Sequence, residues 1–508
     1  MKIQIKEGRI ARVKGEIIIV GIFEGNDGIK GAARAVDTAT AGMIAEIIQK
    51  GDFSGELCKT FLIHKTQKIG VRRVLLIGLG KEKDCTLDKV RGAASCGARF
   101  IRDMGQKQFI APGSFAQLKE TAGTEIVKAL VEGLCLGLYT FKEYKTKKDE
   151  SPDKVIDEVI ILAESSRECI AFKHAIHAAE ILSKAVCTVR DLVSRPANSA
   201  TPTFLAETAQ RVAKKHKLEC RVLGIDQIKK LGMGCFLGVA KGSREPAKFI
   251  ILEHKPRKTG RRDTIVLVGK AITFDSGGIS LKPAQGMDRM KDDMSGGAAV
   301  IGIMQAVAEL GIPLHVVGLI PATENLPDGA ALKPGDIITS MSGKTVEIIT
   351  TDAEGRLILA DALTYASRYQ PAAVIDMATL TGACIIALGS DVAGIMGTDD
   401  KLIEKIKHAS DVTGEKVWHL PLWDEYGELL KSDIADIKNA GGRDAGAITG
   451  GFFLKEFAGK TPWVHMDIAG PVWTEKDKPY IPKGATGFGV RLMVKVLENW
   501  GKENKVNR

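Results

Sequence analysis

VGKAITFDSGGISLKPAQGMDRMKDDMSGGAAV, residues 268–300, sets lysines and carboxylates among apolar and glycine residues where a core segment would carry none. An apolar, β-rich run, Thr264 to Gly269, delivers the chain to a turn holding Lys270 and Asp275, and a helical pattern follows Asp293. TTDAEGRLILADAL (350–363) repeats this order: an apolar run from Thr345 to Thr350, a turn with Asp352 and Glu354, then an apolar helical stretch. Strand, charged turn and helix in succession predict an α/β fold, with the charges at strand ends and helix starts, where open α/β sheets place ligands.

The cost of burial makes these charges informative. Lys270, Asp275, Lys282, Asp293, Asp352, Glu354 and Arg356 cannot lie against Ile, Leu and Phe unless they pair with one another or with a cation. Four converging carboxylates repel unless divalent metal neutralises them, and hard oxygen ligands suit Mg²⁺, Mn²⁺ or Zn²⁺. A lysine joins such a set only as a neutral amine, which needs desolvation and a nearby cation. Four acids and an amine exceed the needs of one site, so two metals sharing a bridging carboxylate is the economical reading. Taken singly, each element is bland. DAEGR at a turn is more often a solvated loop or helix start, an isolated lysine is usually a surface one, and Arg356 could simply pair with Asp352 or Asp361. Their co-occurrence sets the site apart.

The second half of the chain resembles the leucyl (cytosol) aminopeptidase family of dinuclear metallo-exopeptidases. The family signature stands here as Thr350-Thr351-Asp352-Ala353-Glu354-Gly355-Arg356-Leu357, with Thr351 in place of Asn. In order around it stand RDLVSRPANSATP (190–202), GMGCFLGVAKGSREPAKFIILEH (232–254), PATENLPDGAALKPGD (321–336), ATLTGA (378–383), NAGGRDAGAITGGFF (439–453), MDIAGPVW (466–473) and KGATGFGVR (483–491). The departures are Thr351, Ala271 for Gly, Ser194 for Asn, and an added acid, Asp292, beside Asp293.

The resemblance implies that Lys270, Asp275, Asp293 and Glu354 hold one divalent ion, and that Asp275, Asp352 and Glu354 hold the other, helped by the Asp352 carbonyl. It implies Mn²⁺ or Zn²⁺, with Mg²⁺ as an alternative. Lys282 and Arg356 match the catalytic side chains, Lys282 stabilising the oxyanion and Arg356 holding a bicarbonate as general base. Met290, Thr379, Leu380, Gly382, Ala469 and Val472 would line a pocket for an apolar first side chain. The expected activity is release of N-terminal Leu and similar residues from peptides by a homohexamer, a dimer of trimers. Bacterial relatives that double as DNA-binding factors make DNA binding or regulation the alternative function.

Composition agrees. The 508 residues, 44% hydrophobic and 26% charged, suit a multi-domain globular chain. No apolar run reaches membrane-span length, and the start MKIQIKEGRIARVKGEIIIVGIF lacks the order of a signal peptide, so a cytoplasmic location is expected. Nine cysteines without CxxC spacing argue for reduced thiols. A net charge of +10 and pI near 9.0 predict at most weak, salt-sensitive, nonspecific nucleic-acid binding, since no recognised DNA-binding motif accompanies them.

Residues 1–165 alternate strand-like runs (Glu16–Ile22, Arg73–Gly78, 154–162) with helical patterns (Asp37–Gln49, Thr86–Ile101), predicting a small α/β domain. A long helix over 166–190 should connect it to the catalytic domain, 191–508, for which the resemblance implies a mixed sheet flanked by helices. KEYKTKKDESPDK (142–154) reads as an exposed loop. His174 and His177 lie one turn apart on the connecting helix without further ligands, and read as structural. VLLIGLGKEKD (74–84) carries a GxG after a strand but lacks the third glycine of a dinucleotide site. HExxH is absent, which excludes the single-zinc enzymes built on it, and a two-metal phosphoesterase is disfavoured by the lysine in the ligand set.

Overall fold

The computed structural model describes residues 1–25, 28–66, 69–146, 154–256 and 263–506. The chain forms two compact units, Met1–Lys184 with Lys476–Lys483, and Ala185–Glu475 with Gly484–Arg508.

The first unit is built on β1 (Lys2–Glu7), β2 (Gly15–Phe23), β3 (Thr60–Ile63), β4 (Val71–Gly80), β5 (Gln108–Pro112) and β6 (Glu158–Ala163), in the order β1-β6-β5-β2-β4-β3. All neighbours are parallel except β3 with β4. Strands covered on both faces need apolar residues at every position. In GEIIIVGIF, Ile17 and Ile19 enter one core, while Ile18 and Val20 enter the other. Helix Leu87–Asp103 starts at Thr86, whose hydroxyl accepts from Lys89 N. Arg91 of this helix donates to Glu132 of helix Gly123–Gly137 at 2.6 Å, both buried.

Two details differ from the sequence patterns. The helix expected over Asp37–Gln49 is two, Gly31–Ala39 and Met43–Gln49, because Ala41 and Gly42 take positive φ. The GxG at Gly78 serves packing: a Cβ there would meet Glu56 O at 1.8 Å. Within loop 142–154, residues 147–153 lie outside the described residues.

Helix Ser166–Ser194 begins in the first unit and ends in the second. It stops four residues later than the pattern suggested, just before Arg195, which precedes Pro196 and is thereby disfavoured in helix. His174 and His177 are both exposed.

The second unit holds β7 (Glu219–Leu223), β8 (Lys248–His254), β9 (Thr264–Gly269), β10 (Ala271–Asp275), β11 (His315–Asn325), β12 (Ile337–Thr339), β13 (Thr345–Glu347), β14 (Ala373–Ala378), β15 (Ala393–Gly397), β16 (Val417–His419), β17 (Ile437–Lys438) and β18 (Trp463–Asp467). A nine-stranded mixed sheet runs β16-β15-β18-β14-β9-β11-β8-β7, with β10 beside β11. Its centre, β18-β14-β9-β11, is parallel. Helix Ser295–Leu310 is buried from Ser295 to Val307, and helix Glu354–Ala366 over nearly its whole length. The small residues Gly296 and Gly297 let the first helix start against the strand ends: a Cβ on Gly296 would stand 2.1 Å from Met377 O.

Candidate metal centre

The charged side chains gather at the carboxyl ends of the parallel strands. Lys270 follows β9, Asp275 closes β10, and Thr379 follows β14. Asp293 and Glu354 sit at the starts of the two buried helices, where the positive helix end favours a carboxylate. Asp275, Asp293 and Glu354 each offer an oxygen within 4.8 Å of the other two, and all three are buried.

Lys270 is 3% exposed; it donates to Asp293 Oδ1 at 2.8 Å and to Thr379 O at 2.9 Å, and its Nζ forms an ion pair with Glu354 Oε1 at 2.9 Å. Burial opposes its charge, but Asp293, Glu354 and Asp275 outweigh that and raise its pKa. The glycine of DAEGR makes room for it, since a Cβ on Gly355 would lie 2.7 Å from Nζ. Burial drives the carboxyl pKa of Asp293 well up and that of Glu354 up, with neighbouring acids adding to the shift.

Lys282 stands at the open side, 20% exposed in its side chain, 3.0 Å from Asp275 Oδ2 and in close contact with Asp352 Oδ1. Its pKa is raised: burial opposes the charge, and Asp275, Glu354 and Asp352 overcome it. Asp352 occupies the exposed rim, outside the three-carboxylate cluster, with its pKa raised mainly by burial.

The supporting contacts were not singled out in the sequence. Asn325 donates to Asp275 Oδ1 at 2.8 Å and to Thr351 O at 3.0 Å. Gly277 N also donates to Asp275 Oδ1, leaving Oδ2 toward Lys282. Thr351 donates to Gly277 O at 2.6 Å and accepts from Ser280 N, tying the two charged loops together. Gly277 and Gly278 turn the first loop at φ +88° and +68°. Asn325 lies in the quoted PATENLPDG motif, so that motif was the available signal. Asp292 is not one of the three clustered carboxylates and pairs with Arg289 at 3.2 Å.

Arg356 is buried and donates from Nη1 to Asn439 O at 2.8 Å, while its Nε has no hydrogen-bond partner. Burial brings its pKa down to about 10. The pairing with Asp352 or Asp361 is not observed: Asp352 meets Lys282, and Asp361 accepts from Phe236 N and Met341 N. Among the pocket residues, Thr379 directs its hydroxyl to Asp293 Oδ1 at 2.7 Å. Asp467 accepts from both Leu380 N and Ala469 N, which draws those two together. Gly382 is exposed, Met290 half-buried and Val472 buried.

The cluster together with Asp352 at its rim sets four carboxylates against Lys270 and Lys282, so negative charge is in excess. Asp293 Oδ2 lies 2.8 Å from Lys270 Nζ yet off any hydrogen-bond direction, a buried oxygen still able to accept a cation. Hard oxygens with one amine fit divalent metal. A buried, acid-rich centre edged by an ammonium at the strand ends of an α/β sheet defines the class, a metal-dependent hydrolase.

Comparison with known proteins narrows it. Residues 187–494 match the catalytic domain of the cytosol aminopeptidase family, and residues 19–148 its N-terminal domain. A probable cytosol aminopeptidase of Geotalea uraniireducens is 49% identical over 483 residues, covering 95% of this chain and 96% of its own. One from Geobacter sulfurreducens is 47% identical with the same coverage. Among solved structures, a mutant of tomato leucine aminopeptidase superposes with a TM-score of 0.86 at 31% identity, covering 98% of this chain and 96% of its own. The bottromycin maturation enzyme BotP in complex with Mn gives 0.84 at 32%, covering 96% and 99%. The chain belongs to the cytosol aminopeptidase family and is a peptidase. Among the described residues no helix is long and apolar enough to cross a membrane.

Proposed function

We propose that this chain is a leucyl aminopeptidase, releasing N-terminal Leu and other apolar residues from peptides. The observation that carries the reading is the convergence of Asp275, Asp293 and Glu354 around Lys270, with Lys282 at the open side. Lys270, Asp275, Asp293 and Glu354 would hold one metal; Asp275, Asp352, its carbonyl and Glu354 would hold the other. Two divalent cations there supply Lewis-acid polarisation of the scissile carbonyl and an acidified water.

The chain's own residues do the rest. Lys282 keeps its proton among three carboxylates and offers a fixed positive charge to the oxyanion. Lys270 must give up its proton to ligate, which couples metal loading to pH. The unpartnered Nε of Arg356 is a buried donor that fits a small planar anion, and bicarbonate there would supply the general base. Met290, Thr379, Leu380, Gly382, Ala469 and Val472 form the apolar wall for the first side chain. The manganese complex of BotP and the donor set support Mn²⁺ or Zn²⁺, with Mg²⁺ as the harder alternative. The family resemblance supports a homohexamer built as a dimer of trimers, and the names of the relatives support a cytoplasmic location.

The test is hydrolysis of leucyl p-nitroanilide alongside metal analysis. Turnover that needs two ions per chain is expected; a metal-free chain with full turnover would sink the reading. The rate of Arg356→Ala should drop and its response to added bicarbonate disappear. The +10 charge attracts polyanions at low salt, and that binding should decline steeply by physiological salt. A site-specific DNA complex that survives there would make DNA binding a second function.

A further inference from the structure

Asp467 ends β18 with no exposed surface, yet no ion pair meets its carboxylate among the described residues. It is held by uncharged donors: Leu380 N at 3.1 Å and Ala469 N at 3.2 Å on Oδ1, and the Thr381 hydroxyl at 2.7 Å on Oδ2. A dry carboxylate is costly, and it persists where the surrounding geometry depends on it. Two of the donors belong to Leu380 and Thr381, the residues directly after Thr379. Thr379 in turn accepts from Lys270 Nζ through its carbonyl at 2.9 Å and donates to Asp293 Oδ1 at 2.7 Å. The same stretch is pinned from behind, since Lys270 N donates to Met377 O and Ile468 N to Ala378 O.

We infer that Asp467 is a positioning residue: by clamping Leu380, Thr381 and Ala469 it fixes Thr379, and through Thr379 it sets Lys270 and Asp293 for metal and joins that setting to the wall of the specificity pocket. This rests on the ligand roles proposed above for Lys270 and Asp293. The clamp works through two strand-end loops, 379–381 and 467–469, that share one carboxylate. Loosening it frees the Thr379 carbonyl and hydroxyl together, so metal affinity and side-chain selectivity should move in concert.

The experiment compares Asp467→Ala and Asp467→Asn with the unaltered protein, using Mn²⁺ alone as the probe. Mn²⁺ affinity is measured by chelator competition, folding by circular dichroism, and kcat and KM on leucyl and alanyl anilides. Asp467→Ala should remain folded, bind its weaker Mn²⁺ roughly 10- to 100-fold less tightly, and lose part of its preference for Leu over Ala. Asp467→Asn should recover most of both, because its amide oxygen still accepts the two backbone N–H groups. If alanine costs the fold, Thr381→Val, with Thr381→Ser as its control, carries the same test: the valine variant should weaken Mn²⁺ binding and the serine variant should not. Folded Asp467→Ala with unchanged Mn²⁺ affinity, Asp467→Asn as impaired as Asp467→Ala, or Thr381→Val with unchanged affinity overturns the inference. An unaltered protein that binds no Mn²⁺ would instead count against the two-metal reading itself.

Discussion

Two regions of the molecule, one in each unit, bury charge in opposite ways. In the first, Arg91 and Glu132 face each other at 2.6 Å between two helices, one positive and one negative group. In the second, four carboxylates stand against two lysines, and burial raises the pKa of Asp293, Asp352 and Glu354. A balanced pair is complete within the chain and serves the fold. An unbalanced cluster is unfavourable until further positive charge arrives, and that requirement is what makes it a site.

The largest effect is expected at Glu354, proposed to hold both metals. Glu354→Ala should lose turnover by on the order of 10³ or more and weaken both ions; two tightly held ions with near-normal turnover would remove the bridging assignment. Arg91→Ala, by contrast, should act on stability alone. Removing the guanidinium that faces buried Glu132 should cost about 3–5 kcal/mol in denaturant unfolding, with kcat of the folded enzyme unchanged, and a fall in kcat would show that the change reaches the site in the second unit.

Lys282 sharpens the line between ligand and charge. Lys282→Ala should lower kcat by on the order of 10² with metal content intact; loss of metal would make Lys282 a ligand or a fold element.

The smallest effect is on pH. Carboxyls whose folded pKa lies above the unfolded value contribute stability at low pH that is lost as pH rises through the raised value. Asp293 and Glu354 are of this kind, and Asp361 is pushed to about 7 by burial. The raised Lys270 and Lys282 contribute stability throughout this range and lose it only at alkaline pH. The melting temperature of metal-free protein should therefore fall between about pH 4 and 7, and Mn²⁺ should restore it by an amount that grows with pH. A metal-free melting temperature that rises across that window would show that the excess acid is not a liability.

Much of the site was legible because burying charge is costly enough to mark a sequence. Lys270, Asp275, Asp293 and Glu354 stood out against apolar neighbours, and the structure brings them together. The strand Thr264–Gly269 fell where its apolar run ends. The second run was read too long: β13 stops at Glu347, and Ile349 and Thr350 hydrogen-bond the side chain of Asn439, ninety and eighty-nine residues away. Local pattern cannot report such a partner. The helix break at Ala41 and Gly42 was likewise hidden, since apolar spacing continues across it.

The sequence by itself determined the α/β class, the family, and which charged residues stand out as candidates for the site, because periodicity and the scarcity of buried charge are local properties of the chain. Only the tertiary structure decided which charges pair. It gave Lys282 rather than Arg356 to Asp352, turned Asp292 toward Arg289, set Asn325 on Asp275, and gave Asp467 its clamp on the loop after β14. Those pairings join residues far apart along the chain, and hydrogen-bond and Coulomb energies depend on distances that exist only once the strand ends have been brought side by side.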